Sequence, residues 1–172
     1  MIVRLLAAIA LALPLAGAAF IALPPAAQAA CSDAAGPGVD WQRCALDERN
    51  LSGENLAGAK LKGASLANAN LAGTDMTGVD GRRAGFYGAQ ADGAIFDEAE
   101  LLNADFTRAS LANTSFVNAD LRQARFYKAA LQGANFTGAR TGAADFLNAD
   151  LTGATWIDGV RVCREGSIGQ CN

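Results

Sequence analysis

The 172-residue chain has no histidine, two methionines and four prolines, and only 7% of it is aromatic. Without histidine there is no imidazole base and no histidine metal site, which excludes the commonest catalytic and zinc-binding arrangements. Charge is scarce as well: 14 bases against 17 acids leave a formal charge of −3. So small a balance offers nucleic acid no bulk attraction. Large core-forming side chains are few, while glycine (19 residues) and alanine are plentiful. Any core must therefore combine small residues with large ones at regular intervals, a composition that suits a repeat fold in a single domain.

The first thirty residues stand apart. Arg4 and the amino terminus form a short positive region, Leu5 to Leu23 is apolar, Pro24 and Pro25 interrupt it, and Ala27-Gln28-Ala29 offers small residues at a cleavage point. Residues 1–29 read as a secretory signal cut after Ala29 or Ala30, with no stable membrane span left after cleavage. An uncleaved anchor is the alternative, since the apolar run approaches spanning length. Lipidation at Cys31 is disfavoured by Gln28 three residues earlier, and the absence of a twin arginine favours the general export route. Cleavage removes Arg4 and leaves a charge of −4. The expected location is periplasmic or extracellular, where cysteines oxidise. Cys31, Cys44, Cys163 and Cys171 should then be paired, in one of three connectivities.

From Leu51 to Trp156 a large apolar residue recurs at every fifth position, as in Leu56, Leu61, Leu66, Leu71 and Met76, and the register never slips. Of these 22 units, 17 have alanine two residues before the centre. Helices need spacing near 3.6 and flat strands spacing of 2, so a strict period of five fits neither. It fits a coil whose sides are each five residues long.

Ala-Asn-Leu-Ala-Gly (69–73), Ala-Asp-Phe-Thr-Arg (104–108) and Ala-Asp-Leu-Thr-Gly (149–153) are close matches to one motif. In it the chain resembles the pentapeptide-repeat family over about two thirds of its length. The resemblance implies an all-β, right-handed quadrilateral β-helix with the central Leu or Phe and the preceding alanine pointing inward. The placement of phenylalanine supports four sides independently, because all seven phenylalanines after the leader fall at positions ending in 6. A three-sided coil would stack Phe on Leu. A four-sided coil stacks Phe86, Phe106, Phe126 and Phe146 on one wall and Phe96, Phe116, Phe136 and Trp156 on the opposite one. The expected rod has about five and a half coils and a length of about 26 Å.

Four segments are expected: a signal at 1–29, an N-terminal cap at 30–50, the repeats at 51–158 and a C-terminal cap at 159–172. With the rod between them, cysteines of one cap cannot reach those of the other within ~7 Å. The pairs expected are Cys31 with Cys44 and Cys163 with Cys171, in preference to a redox or metal role. Gly81 and Ala91 interrupt the central positions, and Thr141-Gly142 is a milder lapse. Residues 79–95 are read either as a loop presenting Arg82, Arg83 and Tyr87, or as an underpacked coil.

Sorting outward positions by side gives an electrically two-faced rod. The side of Leu61, Leu101 and Leu121 carries Lys60, Lys62, Arg82, Arg83, Arg122 and Arg140 against Asp80, Glu100 and Asp120. Its neighbour carries Arg108, Arg125 and Lys128 against Asp105 and Asp145, with Tyr87 and Tyr127 in one outer column. The other two sides carry only acids: Asp75, Asp92, Asp97, Glu98, Asp150 and Asp158. The basic, tyrosine-bearing surface of Arg82, Arg83, Tyr87, Arg108, Arg122, Arg125, Tyr127 and Lys128 is the candidate partner site, suited to an acidic polymer or protein of the cell envelope. The alternative is a solvated surface of exposed ion pairs. The column Asp80, Glu100 and Asp120 invites a calcium site or a glycosidase pair, but the nearby arginines compensate it and a filled rod has no cleft. No catalytic residue, cofactor or metal is implied. Some members of the resembled family mimic duplex DNA and inhibit topoisomerases; the leader and the basic surface here depart from that pattern. The expected function is a non-enzymatic exported scaffold or binding module. A DNA-mimicking inhibitor is the alternative, and Ile157, Val160 and Val162 are candidates for a homodimer contact at the terminal cap.

Overall fold

The structure is a computed structural model that describes residues 31–172. The leader expected at 1–29 lies outside the described residues.

Every five residues the chain turns a corner. The carbonyl of each central residue accepts from the amide three residues on, as Leu61 does from Ala64 (2.8 Å) and Phe86 from Ala89 (3.0 Å). The residue two after the centre has positive φ, for example +67° at Gly63 and +56° at Asn68. These are the features of a type II turn, which favours Gly or Asn at that place. Turns so close together leave one bridged residue per side. The walls are thus ladders of single parallel bridges, and not the extended strands that the label all-β suggests: Asp40 pairs with Lys60, and Lys60 with Asp80. Pairing at intervals of twenty residues closes a four-sided coil. Its four ladders run from 40 to 140, 45 to 145, 50 to 150 and 55 to 155, six rungs each, along about 24 Å. Amides on each side bond in both directions, as with Lys60 to Val39 O (2.8 Å), Leu61 to Asp80 O (2.8 Å) and Gly63 to Arg82 O (3.0 Å).

The winding begins earlier than the sequence suggests. Asp40, Ala45 and Asn50 are already rungs, so much of the segment read as an N-terminal cap, 30–50, is coil. Trp41 and Leu46 fill central positions and are buried, and buried Cys44 takes the alanine place. The register was hidden because Arg49 and Glu54 replace alanine where the repeats begin to be regular. Cys44 is joined to Cys31, and Cys163 to Cys171. At the far end Val162 and Ile168 pair antiparallel with Thr155 and Asp150, so the cap closes two of the four ladders.

The core is a double column of rings. Phe86, Phe106, Phe126 and Phe146 stack at 4.6, 5.1 and 4.9 Å with planes within 3° of parallel. Phe96, Phe116 and Phe136 stack at 5.3 Å on the opposite wall. Rings of the two columns meet edge to face at 5.6–6.2 Å. Both arrangements suit the aromatic quadrupole.

Residues 79–95 are a regular coil, neither a loop nor a void. Turns and bridges continue without interruption, and Gly81 and Ala91 are buried. The two ring columns change here from Leu66 and Met76 to Phe86 and Phe96, and small residues on the other walls give back volume. Leu101 completes the packing: a Cβ on Gly81 would lie 2.8 Å from its Cδ2. Gly81→Leu, which restores the repeat's usual residue, is therefore expected to destabilise by about 1–3 kcal/mol through overpacking. Adding Leu101→Ala should recover part of the loss in urea unfolding; a more stable single variant would show that the space is open.

Candidate binding surface

The fold explains each motif position on the surface. The amide of the residue after the centre points away from the ladders, and an Asp or Asn just before the centre accepts from it. Asp75 takes Thr77 N (3.0 Å), Asp105 takes Thr107 N (2.9 Å) and Asn135 takes Thr137 N (3.0 Å). Where serine replaces that cap, an aspartate of the previous coil substitutes. Asp92 accepts from Ala112 N (2.8 Å) and from Ser110, and Asp97 from Val117 N (3.0 Å) and Ser115. Asp47 does the same for Ala67 and Ser65. Asp92 and Asp97, two of the acids on the acidic sides, are thus turn caps as well as surface charge. The missed signal is an aspartate eighteen residues before a serine, repeated three times.

The candidate basic residues separate into two groups. Arg82 grips Asp80 with both ends of its guanidinium (2.7 and 2.6 Å) and approaches Glu100 at 3.4 Å. Arg122 holds Asp120 in the same way (2.8 and 2.6 Å), and Arg140 adds a contact at 3.6 Å. Arg125 reaches Asp105 at 3.5 Å. The acidic column at 80, 100 and 120 is thus neutralised where it stands. Among the described residues, Arg83, Arg108 and Lys128 form no ion pair; they sit at exposed corners with φ of 59°, 61° and 57°. An L residue pays roughly 1–2 kcal/mol for that conformation. Arg108 Nη1 donates to the Tyr87 hydroxyl (3.3 Å), and Lys128 Nζ lies 5.2 Å from the centre of the Tyr127 ring. Tyr87 is 43% exposed.

Adding the first coil reduces the charge contrast without removing it. The Leu61 and Phe106 sides now carry ten bases against eight acids, because Arg43, Asp40, Asp47 and Glu48 join them. The remaining two carry Arg49 against seven acids, Glu54 being the newcomer.

Several carboxylates are held below their usual range. The cause is the Arg82 guanidinium for Asp80, the Arg122 guanidinium for Asp120, the Thr77 hydroxyl for Asp75 and the Thr152 amide for Asp150. A carboxylate depressed by folding contributes stability above its unfolded value, 3.8 here, and loses it as pH falls through the lower folded value. No imidazole titrates in between. The melting temperature should be level from about pH 5 to 8 and decline below about pH 4; a step near pH 6 in thermal scans would contradict this.

Comparison with known proteins agrees with this geometry. A family model described as pentapeptide repeats, in eight copies, matches residues 42–78, 59–97, 104–140 and 129–155. No curated protein sequence matches the chain. Among solved structures, HetL, a pentapeptide repeat protein involved in heterocyst differentiation regulation in the cyanobacterium Nostoc, is 31% identical over 73% of this chain and 64% of its own, with a TM-score of 0.48. Two trypsin-treated forms of QnrB1, a plasmid-mediated fluoroquinolone resistance protein, are 22% and 24% identical. They cover 67% and 69% of this chain and 56% and 65% of their own, with TM-scores of 0.63 and 0.56. The chain thus spans less than two thirds of the length of each of these proteins.

Proposed function

The chain belongs to the pentapeptide-repeat family, whose fold is a right-handed quadrilateral β-helix and whose members are generally non-catalytic scaffolds; from that premise we propose that it is an exported binding module whose partner is an acidic polymer or protein of the cell envelope. The observation that carries the reading is the set Arg83, Arg108 and Lys128. These cations stand in a backbone conformation that glycine would adopt without strain and have no ion-pair partner among the described residues; Arg108 meets the Tyr87 hydroxyl and Lys128 the Tyr127 ring. The corner conformation is common to the repeat, and Arg43 shares it; what distinguishes Arg108 and Lys128 is the tyrosine beside each. Export is supported by the leader sequence and by two disulfides, which persist in oxidising compartments.

The test separates strained cations from paired ones. Changing Arg83, Arg108 and Lys128 together to glycine should raise stability by about 0.5–1 kcal/mol per site and abolish crosslinked capture of the partner from envelope extract. Arg82→Gln with Arg122→Gln, which removes cations already neutralised, should leave capture intact. Capture that survives the first change overturns the assignment of this surface.

Self-association through the C-terminal cap belongs to the same reading, supported by exposed Ile157, Val160, Val162 and Ile168. The second reading, a DNA-mimicking inhibitor, is favoured by the two sides that carry seven acids and one base. It requires the protein to act inside the cell, and predicts topoisomerase inhibition that disappears when acids of those sides are made neutral.

A further inference from the structure

Three stretches of the coils place Ser or Thr two residues after Asn: Asn50-Leu51-Ser52, Asn113-Thr114-Ser115 and Asn135-Phe136-Thr137. In an exported chain that triplet is the acceptor pattern for an N-linked glycan. The repeat also produces it for a structural reason, because Asn caps the turn, as at Asn70 and Asn135, and Ser or Thr often follows as the next outward residue. The three triplets are therefore alike in sequence and differ in their surroundings.

Asn113 stands at a corner with φ of 56°, its side-chain oxygen lies against Gly133, and Ser115 donates to Asp97 and not to Asn113. Asn135 accepts from the Thr137 amide (3.0 Å) and hydroxyl (2.6 Å), but it is half-buried and its own amide is tied to Thr114 O at 2.9 Å. Asn50 is the first rung of its ladder. It is exposed, and its amide has no backbone acceptor among the described residues. Ser52 gives both its amide (3.3 Å) and its hydroxyl (2.8 Å) to Asn50 Oδ1, while Asn50 Nδ2 makes no hydrogen bond among the described residues. The flanking residues alternate. Arg49 folds back with its guanidinium 5.5 Å from the centre of the Trp41 ring and on Cys31 O (3.3 Å), and Leu51 is buried. Glu48, Asn50 and Ser52 are left exposed together, and Glu48 has no ion-pair partner among the described residues. An acid, a carboxamide and a hydroxyl thus share one outward strip at the open end of the rod.

We propose that Asn50 is an N-glycosylation acceptor, modified by an oligosaccharyltransferase that reads Glu48, Asn50 and Ser52 as a unit. The donor is a lipid-pyrophosphate-linked oligosaccharide. Asn50 Nδ2 attacks the anomeric carbon, a C–N bond forms, the bond from that carbon to the pyrophosphate oxygen breaks, and the lipid pyrophosphate leaves as the nitrogen gives one proton to a base of the transferase. Glu48 supplies a free carboxylate for a charged contact with that enzyme. The site requires the export read from the leader and the disulfides, and is independent of the basic surface.

The full chain, with both disulfides formed, should gain one glycan when incubated with a bacterial oligosaccharyltransferase and its lipid-linked donor, and peptide mass spectrometry should place it on Asn50, with Asn113 and Asn135 bare. Asn50→Gln should abolish the gain. Ser52→Ala, which keeps the amide on Asn50 Oδ1, and Glu48→Gln should each lose most of it at unchanged melting temperature, and Ser52→Thr should retain it. A bare Asn50, equal modification of Asn113 or Asn135, or occupancy indifferent to Ser52 and Glu48 would overturn the proposal. Expression with the chain's own leader in cells that carry the transferase separates the site from export. An oxidised, exported chain that stays bare at Asn50 means that the site is wrong. A chain that is modified in vitro yet stays reduced in the cytoplasm means that export is wrong and the site stands.

Discussion

Replacing Phe106 with alanine is expected to cost about 3–5 kcal/mol, the largest loss from any single change at the core. Its ring lies 4.6 Å from Phe86 and 5.1 Å from Phe126 in its own column, and meets Phe96 and Phe116 edge to face at 5.6 and 5.8 Å. Truncation removes four ring contacts and leaves a cavity that the surrounding ladders hold open, because each wall is hydrogen-bonded to the coil above and the coil below. Phe106→Leu should cost only about 1–2 kcal/mol, since Leu66 occupies the same column two coils away. A second effect follows from the linear architecture. Each coil touches only its neighbours, so a weak middle coil divides one cooperative unit into two. Urea unfolding followed by near-ultraviolet circular dichroism should show a lower midpoint and a shallower transition. A loss below about 1 kcal/mol would mean that the ring columns contribute little beyond filling space.

The large-scale architecture was readable because one constraint repeats. Five-residue spacing fixes the side, and alternation of Phe with Leu fixes the number of sides, since only a twenty-residue turn puts Phe106 over Phe86. Three kinds of detail were hidden. The first coil was concealed by Arg49 and Glu54, whose stems replace alanine at the open end, where the absence of a preceding coil relaxes the size limit. The filling of Gly81 depends on Leu101, a residue one full coil away, and no local pattern reports it. The surface was harder still. A cation is an ion-pair partner or a free binding group according to whether an acid reaches it, and for the adjacent Arg82 and Arg83 the sequence shows which place of the repeat each holds but not which acid it meets. Corner geometry distinguishes them: Arg82 bonds back to Asp80, and Arg83 projects from a left-handed turn. Glycine and asparagine recurring two residues after each centre announced those corners, and Arg83, Arg108 and Lys128 are among the departures from that rule, with Arg43, Glu48, Glu98, Gln123 and Ala143.

The second large effect concerns the ends. Cys163→Ser with Cys171→Ser should remove about 2.5 kcal/mol, the chain-entropy value for the short loop that a separation of 8 residues closes. The loss should be local. Val162 and Ile168 hold the cap by two antiparallel bridges, and the last coil is already weaker than the rest, with Phe146 and Trp156 only half-buried where interior rings are fully enclosed. Freed from its tether, the cap should fray and expose Trp156 while the middle of the rod keeps its ladders. The two tryptophans mark opposite ends, so the location of the damage is measurable. Trp41 is fully buried in the first coil, and its indole N–H has no acceptor among the described residues. Trp41→Phe removes that unsatisfied donor along with part of the packing and leaves Trp156 as the sole reporter. In this background, loss of the Cys163 to Cys171 bond should shift Trp156 emission to longer wavelength at a denaturant concentration well below the main transition. Loss of the Cys31 to Cys44 bond, which closes a loop of similar size at the other end, should leave that emission unchanged until the rod itself unfolds. Equal shifts from either removal would show that the coils melt as a single block, and nearest-neighbour coupling would then not describe this rod.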